Sequence, residues 1–344
     1  MLRMDIAVVV NLSARKGSHA FAARARKTLP RSRVVATSSL DELHRFVEET
    51  ARGAPPKLVL SGGGDGTAIA LLDALRAREV AFPAFGLLPL GTGNGWAIST
   101  KAPRPRAALE QVASMVEQGL AHPPTSDYWL VEVEGRLTPF AGTGWDAELL
   151  HDYKLQRAAF PRRLAWLAEG FTGYMASIFG RTIPRNLRRK DRPQVRLVNL
   201  GAPALKVDAE GHVVPVPGGE PGAVLYEGPY GVAGAGTTTD LGFGFKGLHL
   251  ARTLPGRMHV RVYAATAAQA TLHLPKLWRG FHPLPDSHDF LLTRCRMDFD
   301  REVPVEVGGD VVGLRSSVEY RLAEQVVPVV DWARADPSFS LDRC

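Results

Sequence analysis

The chain contains few cysteines and no long uninterrupted apolar run. Cys295 and Cys344 are the only two cysteines in 344 residues, which gives neither a disulfide framework nor the ligand spacing of a zinc site. No stretch approaches the roughly 20 apolar residues that a membrane-spanning helix needs. Ile6–Val10 is too short for the apolar core of a signal peptide. We therefore predict a cytoplasmic protein without a spanning helix.

The Gly-Lys-Ser or Gly-Lys-Thr ending of a Walker loop is also absent, which excludes the ordinary P-loop kinases. The net charge of +7 favours an anionic partner, such as a nucleotide or a membrane surface. Beyond this charge, no motif and no interleaving of aromatic with basic residues supports nucleic-acid binding, and we expect none.

The most informative segment is a cluster of glycines around one carboxylate. Ser61–Thr67 reads Ser-Gly-Gly-Gly-Asp-Gly-Thr, and it follows the short apolar run Leu58–Leu60 and precedes a helical apolar pattern. A strand, a glycine turn and a helix N-terminus present free N–H groups and a positive dipole end to a phosphate. Asp65 would repel a bare phosphate, so we expect a divalent cation or a hydroxyl nucleophile between them. The simpler alternative is a glycine-rich turn without a ligand.

A second glycine loop follows the next apolar strand. Phe85–Leu90 is followed at once by Gly91-Thr92-Gly93-Asn94-Gly95. The carboxyl ends of neighbouring strands in a doubly wound sheet form the edge where ligands bind. We therefore predict that the two loops lie side by side and together hold a polyphosphate.

These segments resemble the catalytic domain of the diacylglycerol kinase family. Ser61–Thr67 and Pro89–Asn94 carry the resemblance, and Ile6–Asn11 resembles the first strand of the family. Gly142–Ala147 resembles a Gly-x-Gly-x-Asp-Ala segment that opens the second domain, and Val307–Asp310 lies where the family carries Asp-Gly-Glu. The family includes sphingosine, ceramide and bacterial lipid kinases and is distantly similar to NAD kinases.

The resemblance implies an ATP-dependent lipid kinase that transfers the γ-phosphate to the hydroxyl of diacylglycerol or a related lipid, with Mg²⁺. Asp65 and Asp310 are the implied catalytic residues. Asp65 would orient Mg²⁺ or the hydroxyl, and Asp310 would accept its proton if it lies within hydrogen-bond reach. Lys16 or Arg15 would neutralise phosphate charge. The predicted nucleotide-binding residues are Asn11, Lys16, Thr37, Gly62, Gly63, Gly64, Asp65, Gly66, Thr67, Gly91, Thr92 and Asn94.

The chain departs from the family pattern at several positions. Gly95 stands where an aspartate is common, and Gly308 replaces the first residue of Asp-Gly-Glu, so that Asp310 retains a carboxylate one methylene shorter than glutamate. The bacterial segment that helps hold a structural magnesium is Pro255-Gly256-Arg257 here, and we expect no metal there. Asp310 also has a simpler interpretation as a turn aspartate, because Gly-Gly-Asp is common in hairpins.

The order of strand and helix signals predicts two domains. Strands, helices and glycine loops alternate over residues 1–122 and predict an N-terminal, doubly wound, Rossmann-like parallel-sheet domain. Residues 322–344 are candidates for a C-terminal segment that returns to pack on this domain. Alternating apolar runs with many Gly and Pro turns predict a mainly antiparallel β-sandwich domain over residues 123–321, which would bind the lipid. Asp146 is expected to cap a helix that begins near Ala147.

The segment Arg157–Arg196 combines a helical apolar pattern with flanking basic residues. One hypothesis is an interfacial element that meets an anionic membrane surface, which would place the protein peripherally at the inner membrane face. The alternative is a helix that covers the β domain, followed by a solvated basic loop.

Three functions remain open at this stage. The first is an active lipid kinase. The second is an NAD-kinase-like enzyme, against which the long β domain and the Gly-x-Gly-x-Asp-Ala segment argue. The third is a non-catalytic nucleotide or lipid binder, which the substitutions at Gly95 and Gly308 suggest.

Overall fold

The computed structural model describes residues 4–145, 147–150, 152–153, 170–177, 180–181, 183–188 and 191–335. The chain forms two compact units. The N-terminal unit comprises Met1–Trp129 and Glu324–Cys344, and the C-terminal unit comprises Leu130–Ala323. Asp146, much of the stretch 157–190 and residues 336–344 lie outside the described residues, and with them the predicted helix cap and much of the predicted basic segment.

The N-terminal unit begins with alternating strands and helices. Their bounds are β1 Ile6–Asn11, α1 His19–Thr28, β2 Arg33–Thr37, α2 Leu40–Arg52, β3 Leu58–Gly63, α3 Asp65–Arg76, β4 Ala84–Pro89, α4 Gly95–Ser99, α5 Pro105–Glu117 and β5 Thr125–Tyr128. Side-chain caps start two of the helices: Ser18 Oγ accepts a hydrogen bond from Phe21 N, and Ser39 Oγ accepts one from Glu42 N. Pro105 begins α5, where its fixed φ suits the first turn.

The C-terminal unit is rich in short strands. Their bounds are β6 Val131–Val133, β7 Arg136–Thr138, β8 Phe140–Gly144, β9 Gln194–Asn199, β10 Leu205–Val207, β11 Val213–Pro215, β12 Val224–Pro229, β13 Val232–Gly236, β14 Met258–Tyr263, β15 Ser287–Leu292, β16 Arg294–Val307 and β17 Asp310–Leu322. Three helices are described: α6 Gly170–Ser177, α7 Ile183–Arg188 and α8 Ala267–Arg279. A capping box between Thr266 and Gln269 starts α8, and Gly280 in the left-handed conformation ends it.

Two sheets organise these elements. After the C-terminal unit, β18 Val327–Val330 joins the first sheet, whose strand order is β2-β1-β3-β4-β18-β5. Within it β2, β1, β3, β4 and β18 run parallel, and β5 pairs antiparallel with β18. The twelve described strands β6–β17 form one antiparallel sheet. The predicted fold class, a parallel α/β domain followed by a mainly antiparallel β domain, is confirmed.

Burial explains why the strands of the first sheet are apolar. Ile6–Val10 and Leu58–Leu60 are almost entirely apolar and fully buried, because helices cover both faces of a parallel sheet. This burial holds β1, β3 and β4 in fixed register, so that the residues at their carboxyl ends meet at one edge.

Candidate functional site

The two glycine loops lie side by side at the carboxyl edge of the parallel sheet. Gly63 pairs with Pro89 in the β3–β4 register. The N–H groups of Leu90 and Gly91 both donate to the Gly63 carbonyl, each at 2.9 Å. A Cβ atom on Gly91 would lie 2.5 Å from the Gly64 Cα atom, so the two backbones approach too closely for any residue but glycine at position 91.

Asn94 fixes the shape of the second loop. Its backbone is left-handed, with φ at 52°, a conformation that asparagine tolerates better than most residues. Its side-chain Oδ1 accepts from the Gly91 N–H at 3.0 Å, and its Nδ2 donates to the Gly91 carbonyl at 2.9 Å. The predicted ligand-binding asparagine is therefore also the side chain that closes this loop.

The N-terminus of α3 opens at the same edge. Gly64 is the N-cap and provides no side-chain cap, unlike Ser18 and Ser39 in the helices before it. Asp65 lies in the first turn, where the helix dipole favours a negative charge. Its Oδ1 accepts a hydrogen bond from Trp96 N at 3.3 Å, which links α3 to α4.

The end of β1 adds three more of the predicted residues. Asn11 Nδ2 donates to Thr67 Oγ1 at 2.8 Å, and Asn11 pairs with Thr37 in the β1–β2 register. Thr37 is only 2% exposed, and its carbonyl accepts from Leu12 N at 2.8 Å. The Lys16 side chain is exposed, while its backbone N–H donates to Leu90 O at 2.9 Å.

The predicted nucleotide-binding residues thus gather at one edge, but they differ in exposure. Gly62, Gly63 and Gly91 are buried and shape the backbone, whereas Gly66 and Thr92 are exposed at the rim. The remaining predicted residues of the two loops, namely Gly64, Asp65, Thr67 and Asn94, are half-buried. The rim residues therefore offer the backbone and side-chain groups that a ligand from solvent meets first.

Asp65 is a candidate protein ligand for a divalent cation at this edge. Mg²⁺ is commonly held by one or two carboxylates together with phosphates and waters. Asp65 supplies one such carboxylate beside the α3 N-terminus. The described residues contain no group of three or more His, Cys, Asp or Glu that could hold a metal by themselves. The donor set therefore fits a cation carried by a nucleotide rather than a site made of protein ligands alone.

Asp310 lies at the tip of a hairpin in the C-terminal unit. Val307 pairs with Asp310, and the two intervening glycines, Gly308 and Gly309, have φ of 58° and 88°. Two positive φ values in a two-residue loop are typical of a type I′ turn, which favours Gly-Gly. The Asp310 side chain is exposed at the start of β17. Asp-Gly suits this turn as well as Gly-Gly does, so the turn does not explain why Gly308 stands where the family carries aspartate.

An apolar cavity of about 160 Å³ lies within the C-terminal unit. One face of α8 lines it at helical spacing, through Ala267, Ala270, Thr271, Leu274, Leu277 and Trp278. Residues from β8, β13 and β14, such as Phe140, Val232 and Tyr263, line it as well. Among the described residues, the charged side chains of Arg261 and Glu306 also line it.

Arg261 belongs to a buried polar cluster beside the cavity. Its Nε donates to Asp289 Oδ1 at 2.7 Å, and His259 Nε2 lies 2.8 Å from the same oxygen. Burial raises the pKa of Asp289, but Arg261 and His259 outweigh it and hold that pKa well below its usual value. Burial, followed by the nearby Arg261 charge, lowers the pKa of His249 to about 3. Asp289 is therefore ionised and His249 neutral at physiological pH.

Two basic residues of the Arg157–Arg196 segment make internal contacts. Arg185 donates to Asp152 at 3.0 Å and to Glu148 at 3.0 Å. Arg192 donates to the carbonyl groups of Ala264 and Ala265. These two arginines therefore make contacts within the C-terminal unit.

Comparison with known proteins tests the predicted family resemblance. Residues 5–122 match the sequence profile of the Diacylglycerol kinase catalytic domain. The predicted family resemblance is confirmed. The chain is 40% identical over 81 residues to the probable lipid kinase YegS of Salmonella arizonae and to that of Salmonella heidelberg. This stretch is 23% of the chain and spans about a quarter, 26%, of the length of those curated relatives.

Solved structures extend the likeness in fold to both units. A diacylglycerol kinase from Bacillus anthracis superposes with a TM-score of 0.61 at 13% identity, covering 95% of this chain and 96% of that one. A putative diacylglycerol kinase from the same organism gives 0.62 at 16% identity, with the same coverage. No helix among the described residues has the length and hydropathy to cross a membrane.

Sequence reasoning missed the residues of the cavity. The Thr266–Gln269 capping box and the apolar spacing from Ala270 to Leu277 were available signals for α8. Pro275 lies inside this helix and weakens the helical signal. Glu306 gave no signal, because a single glutamate in an apolar strand does not reveal which face it occupies.

Proposed function

We propose that the protein is an ATP-dependent lipid kinase that phosphorylates the hydroxyl of diacylglycerol or a related lipid. The observation that carries the proposal is the packing of the two glycine loops, backbone against backbone, at the carboxyl edge of a parallel sheet. Ligands bind at this edge in such folds, and N–H groups at a helix N-terminus favour phosphate. The match of residues 5–122 to the kinase catalytic domain supports the same conclusion.

The residues of the N-terminal unit would bind and position the nucleotide. Backbone N–H groups of residues 62–66 and 91–94 would hold the triphosphate, and Lys16 or Arg15 would neutralise part of its charge. Thr67 accepts a hydrogen bond from Asn11 and would contact a phosphate beside it. ATP bound here would supply the phosphoryl group. In such transfers the protein acts mainly by positioning groups and neutralising charge.

Two carboxylates have proposed catalytic roles. Asp65 would orient the accepting hydroxyl or help hold Mg²⁺, which would neutralise phosphate charge. Asp310 would accept the hydroxyl proton, a role that needs an exposed carboxylate within hydrogen-bond reach of the substrate. Its exposed position at the hairpin tip is compatible with this role. The apolar cavity of the C-terminal unit would take hydrocarbon of the lipid.

A further proposal concerns the surface from which lipid arrives. On α8, the Leu272 side chain is 79% exposed, and Phe281, just beyond the helix, is 53% exposed. Lys276 and Arg279 lie in the last turns of the same helix. Exposed apolar side chains beside basic ones are typical of contact with anionic lipid. Binding to vesicles that contain anionic lipid, but not to neutral vesicles, would support this contact. Equally weak binding to both kinds of vesicle would contradict it.

The decisive experiment offers labelled ATP together with a panel of lipid alcohols and NAD. The proposal predicts that label from the γ-phosphate enters at least one lipid and does not enter NAD. The Asp65→Asn variant should lose most of this transfer while the protein remains folded. ATP binding without transfer to any acceptor would instead favour a non-catalytic binder, and label in NAD would favour an NAD-kinase-like enzyme.

A further inference from the structure

The Asn11 side chain is fixed in orientation by the turn at the end of β1. Its oxygen Oδ1 accepts a hydrogen bond from Ser13 N at 2.9 Å, which is the pattern of an Asx turn. A backbone N–H can only donate, so the atom that faces Ser13 must be the oxygen of the amide and not its nitrogen. The amide nitrogen, Nδ2, therefore faces the other way, where it lies 2.8 Å from Thr67 Oγ1.

This orientation decides the polarity of the Thr67 hydroxyl. An amide nitrogen only donates, so Thr67 Oγ1 must be the acceptor in its contact with Asn11. The hydroxyl hydrogen consequently points away from Asn11, and no described residue accepts it. Thr67 is half-buried in the first turn of α3, where the backbone N–H groups of the helix N-terminus also point outward. The hydroxyl thus adds one more donor at the place where a phosphate is expected.

The backbone of Gly63 limits where the Thr67 side chain can lie. A Cβ atom on Gly63 would be 2.4 Å from Thr67 Oγ1 and 2.5 Å from Thr67 Cβ, so the threonine packs directly on the glycine backbone. Threonine is β-branched, which restricts its χ1 rotamers. With the Gly63 backbone against the side chain and Asn11 bonded to its oxygen, the remaining freedom of the hydroxyl is the rotation of its hydrogen.

We propose that Asn11 is a positioning residue that makes the Thr67 hydroxyl a hydrogen-bond donor to a phosphate oxygen of the nucleotide. This inference rests on the proposed function, because it assigns a role within the same nucleotide site. Asn11 belongs to the predicted nucleotide-binding residues, and its role is indirect, through Thr67. A phosphate oxygen is negatively charged and accepts hydrogen bonds. A hydroxyl whose hydrogen pointed toward position 11 would present a lone pair to that oxygen and repel it.

The test is a double-mutant cycle on ATP affinity, measured by calorimetric titration. Asn11→Asp retains an oxygen that accepts from Ser13 and replaces the amide donor with a second acceptor, so the Thr67 hydroxyl would donate to this carboxylate and not to phosphate. A hydrogen bond to a charged group contributes roughly 10- to 100-fold in affinity, and Asn11→Asp should lose at least this factor. Thr67→Val removes the hydroxyl and should also weaken ATP binding. In the Thr67→Val background the loss caused by Asn11→Asp should be at least fivefold smaller, because no hydroxyl remains to be turned.

The cycle separates this effect from simple charge repulsion. The new negative charge of Asn11→Asp repels ATP in both backgrounds, so its contribution cancels. Ser13→Asp, at an exposed position of the same turn, is the matched control, and its effect on ATP affinity should be equal with and without the Thr67 hydroxyl. Thr67→Ser retains a hydroxyl, and in this background Asn11→Asp should again cause its full loss. Adenosine, which lacks the phosphates, should bind alike to all of these variants.

Each outcome bears on one of the two proposals or on both. An Asn11→Asp loss that is equal in the wild-type and Thr67→Val backgrounds would overturn the role of Asn11. If Asn11→Asp does not fold, Asn11→Ala replaces it: this change leaves the hydroxyl hydrogen able to rotate, and its smaller loss should likewise vanish with Thr67→Val, whereas equal losses would overturn the role. The expected coupling in a protein that never transfers phosphate would overturn the kinase proposal and leave the role of Asn11 standing. A wild-type protein that binds no ATP would overturn both.

Discussion

Replacing Gly66 with alanine tests whether a ligand occupies the space in front of the first glycine loop. A Cβ atom built on Gly66 meets no heavy atom within 4 Å, and its φ lies outside the left-handed region. Gly66 is in the first turn of α3, where alanine is at least as favourable as glycine. The substitution should therefore leave the free energy of unfolding unchanged or raise it by about 0.4–1 kcal/mol.

The effect on the nucleotide should have the opposite sign. If the triphosphate lies against the backbone of residues 62–66, the added methyl group takes the space of a phosphate oxygen. Inserting a methyl group into a closely packed contact costs about 1–3 kcal/mol, which corresponds to a loss of roughly 5- to 150-fold in ATP affinity. Adenosine, which lacks the phosphates, should bind with unchanged affinity.

Two further glycine variants separate this effect from damage to the fold. In Gly91→Ala the new Cβ would lie 2.5 Å from Gly64 Cα and 2.9 Å from Asn94 Oδ1, so this variant should be destabilised as well as weakened in ATP binding. In Gly53→Ala, at the end of α2, the nearest atom is Glu49 O at 3.6 Å, and both properties should be preserved. Calorimetric titration with ATP and adenosine, together with thermal unfolding, distinguishes the three. Wild-type ATP affinity in a folded Gly66→Ala protein would refute the proposed phosphate position.

Three other changes test separate parts of the proposal. Asp310→Asn should lower kcat for lipid phosphorylation by about 10²- to 10⁴-fold without changing thermal stability, since the side chain is exposed. An unaltered kcat would show that Asp310 is a turn residue only. Ala270→Phe should fill the cavity and lower kcat/KM for lipid at least tenfold with ATP affinity unchanged. The same substitution at the exposed Ala268 of α8, which does not line the cavity, should have little effect, and equal losses would contradict the cavity as the lipid site. Folding lowers the pKa of His249 from 6.5 to about 3, so between pH 6.5 and 3 the unfolded state binds more protons than the folded state. The free energy of unfolding should therefore decrease as the pH falls through this range, by up to about 1.4 kcal/mol per pH unit. His249→Gln should reduce that slope in denaturant titrations, and an identical slope would contradict the assignment.

The N-terminal unit could be predicted well because its signals are local. Buried parallel strands such as Ile6–Val10 are continuous apolar runs, and each glycine loop follows its strand directly in sequence. Adjacent strands of a doubly wound sheet then bring the loops together without any further information. The position of β5 (Thr125–Tyr128) at the edge of the sheet was harder to predict from the sequence, because its partner Val327–Val330 lies some two hundred residues later in the chain.

The C-terminal unit was harder because its important contacts are distant in sequence. Residues 201–230 suggest a long loop or irregular hairpin by their many Gly and Pro residues, yet they contain β10, β11 and β12. The cavity joins α8 to strands far from it in the chain, and Glu306 is recognised only once the facing strands are known. Pairings of this kind are set by the global fold and not by the local sequence.

The most direct measurement of the central claim is backbone hydrogen exchange with and without Mg·ATP. If the two glycine loops hold the triphosphate through their N–H groups, peptides that cover residues 62–67 and 91–94 should exchange more slowly when the nucleotide is present, and adenosine should leave them unchanged. Saturating ATP that slows exchange only in other segments, or in neither loop, would contradict the claim.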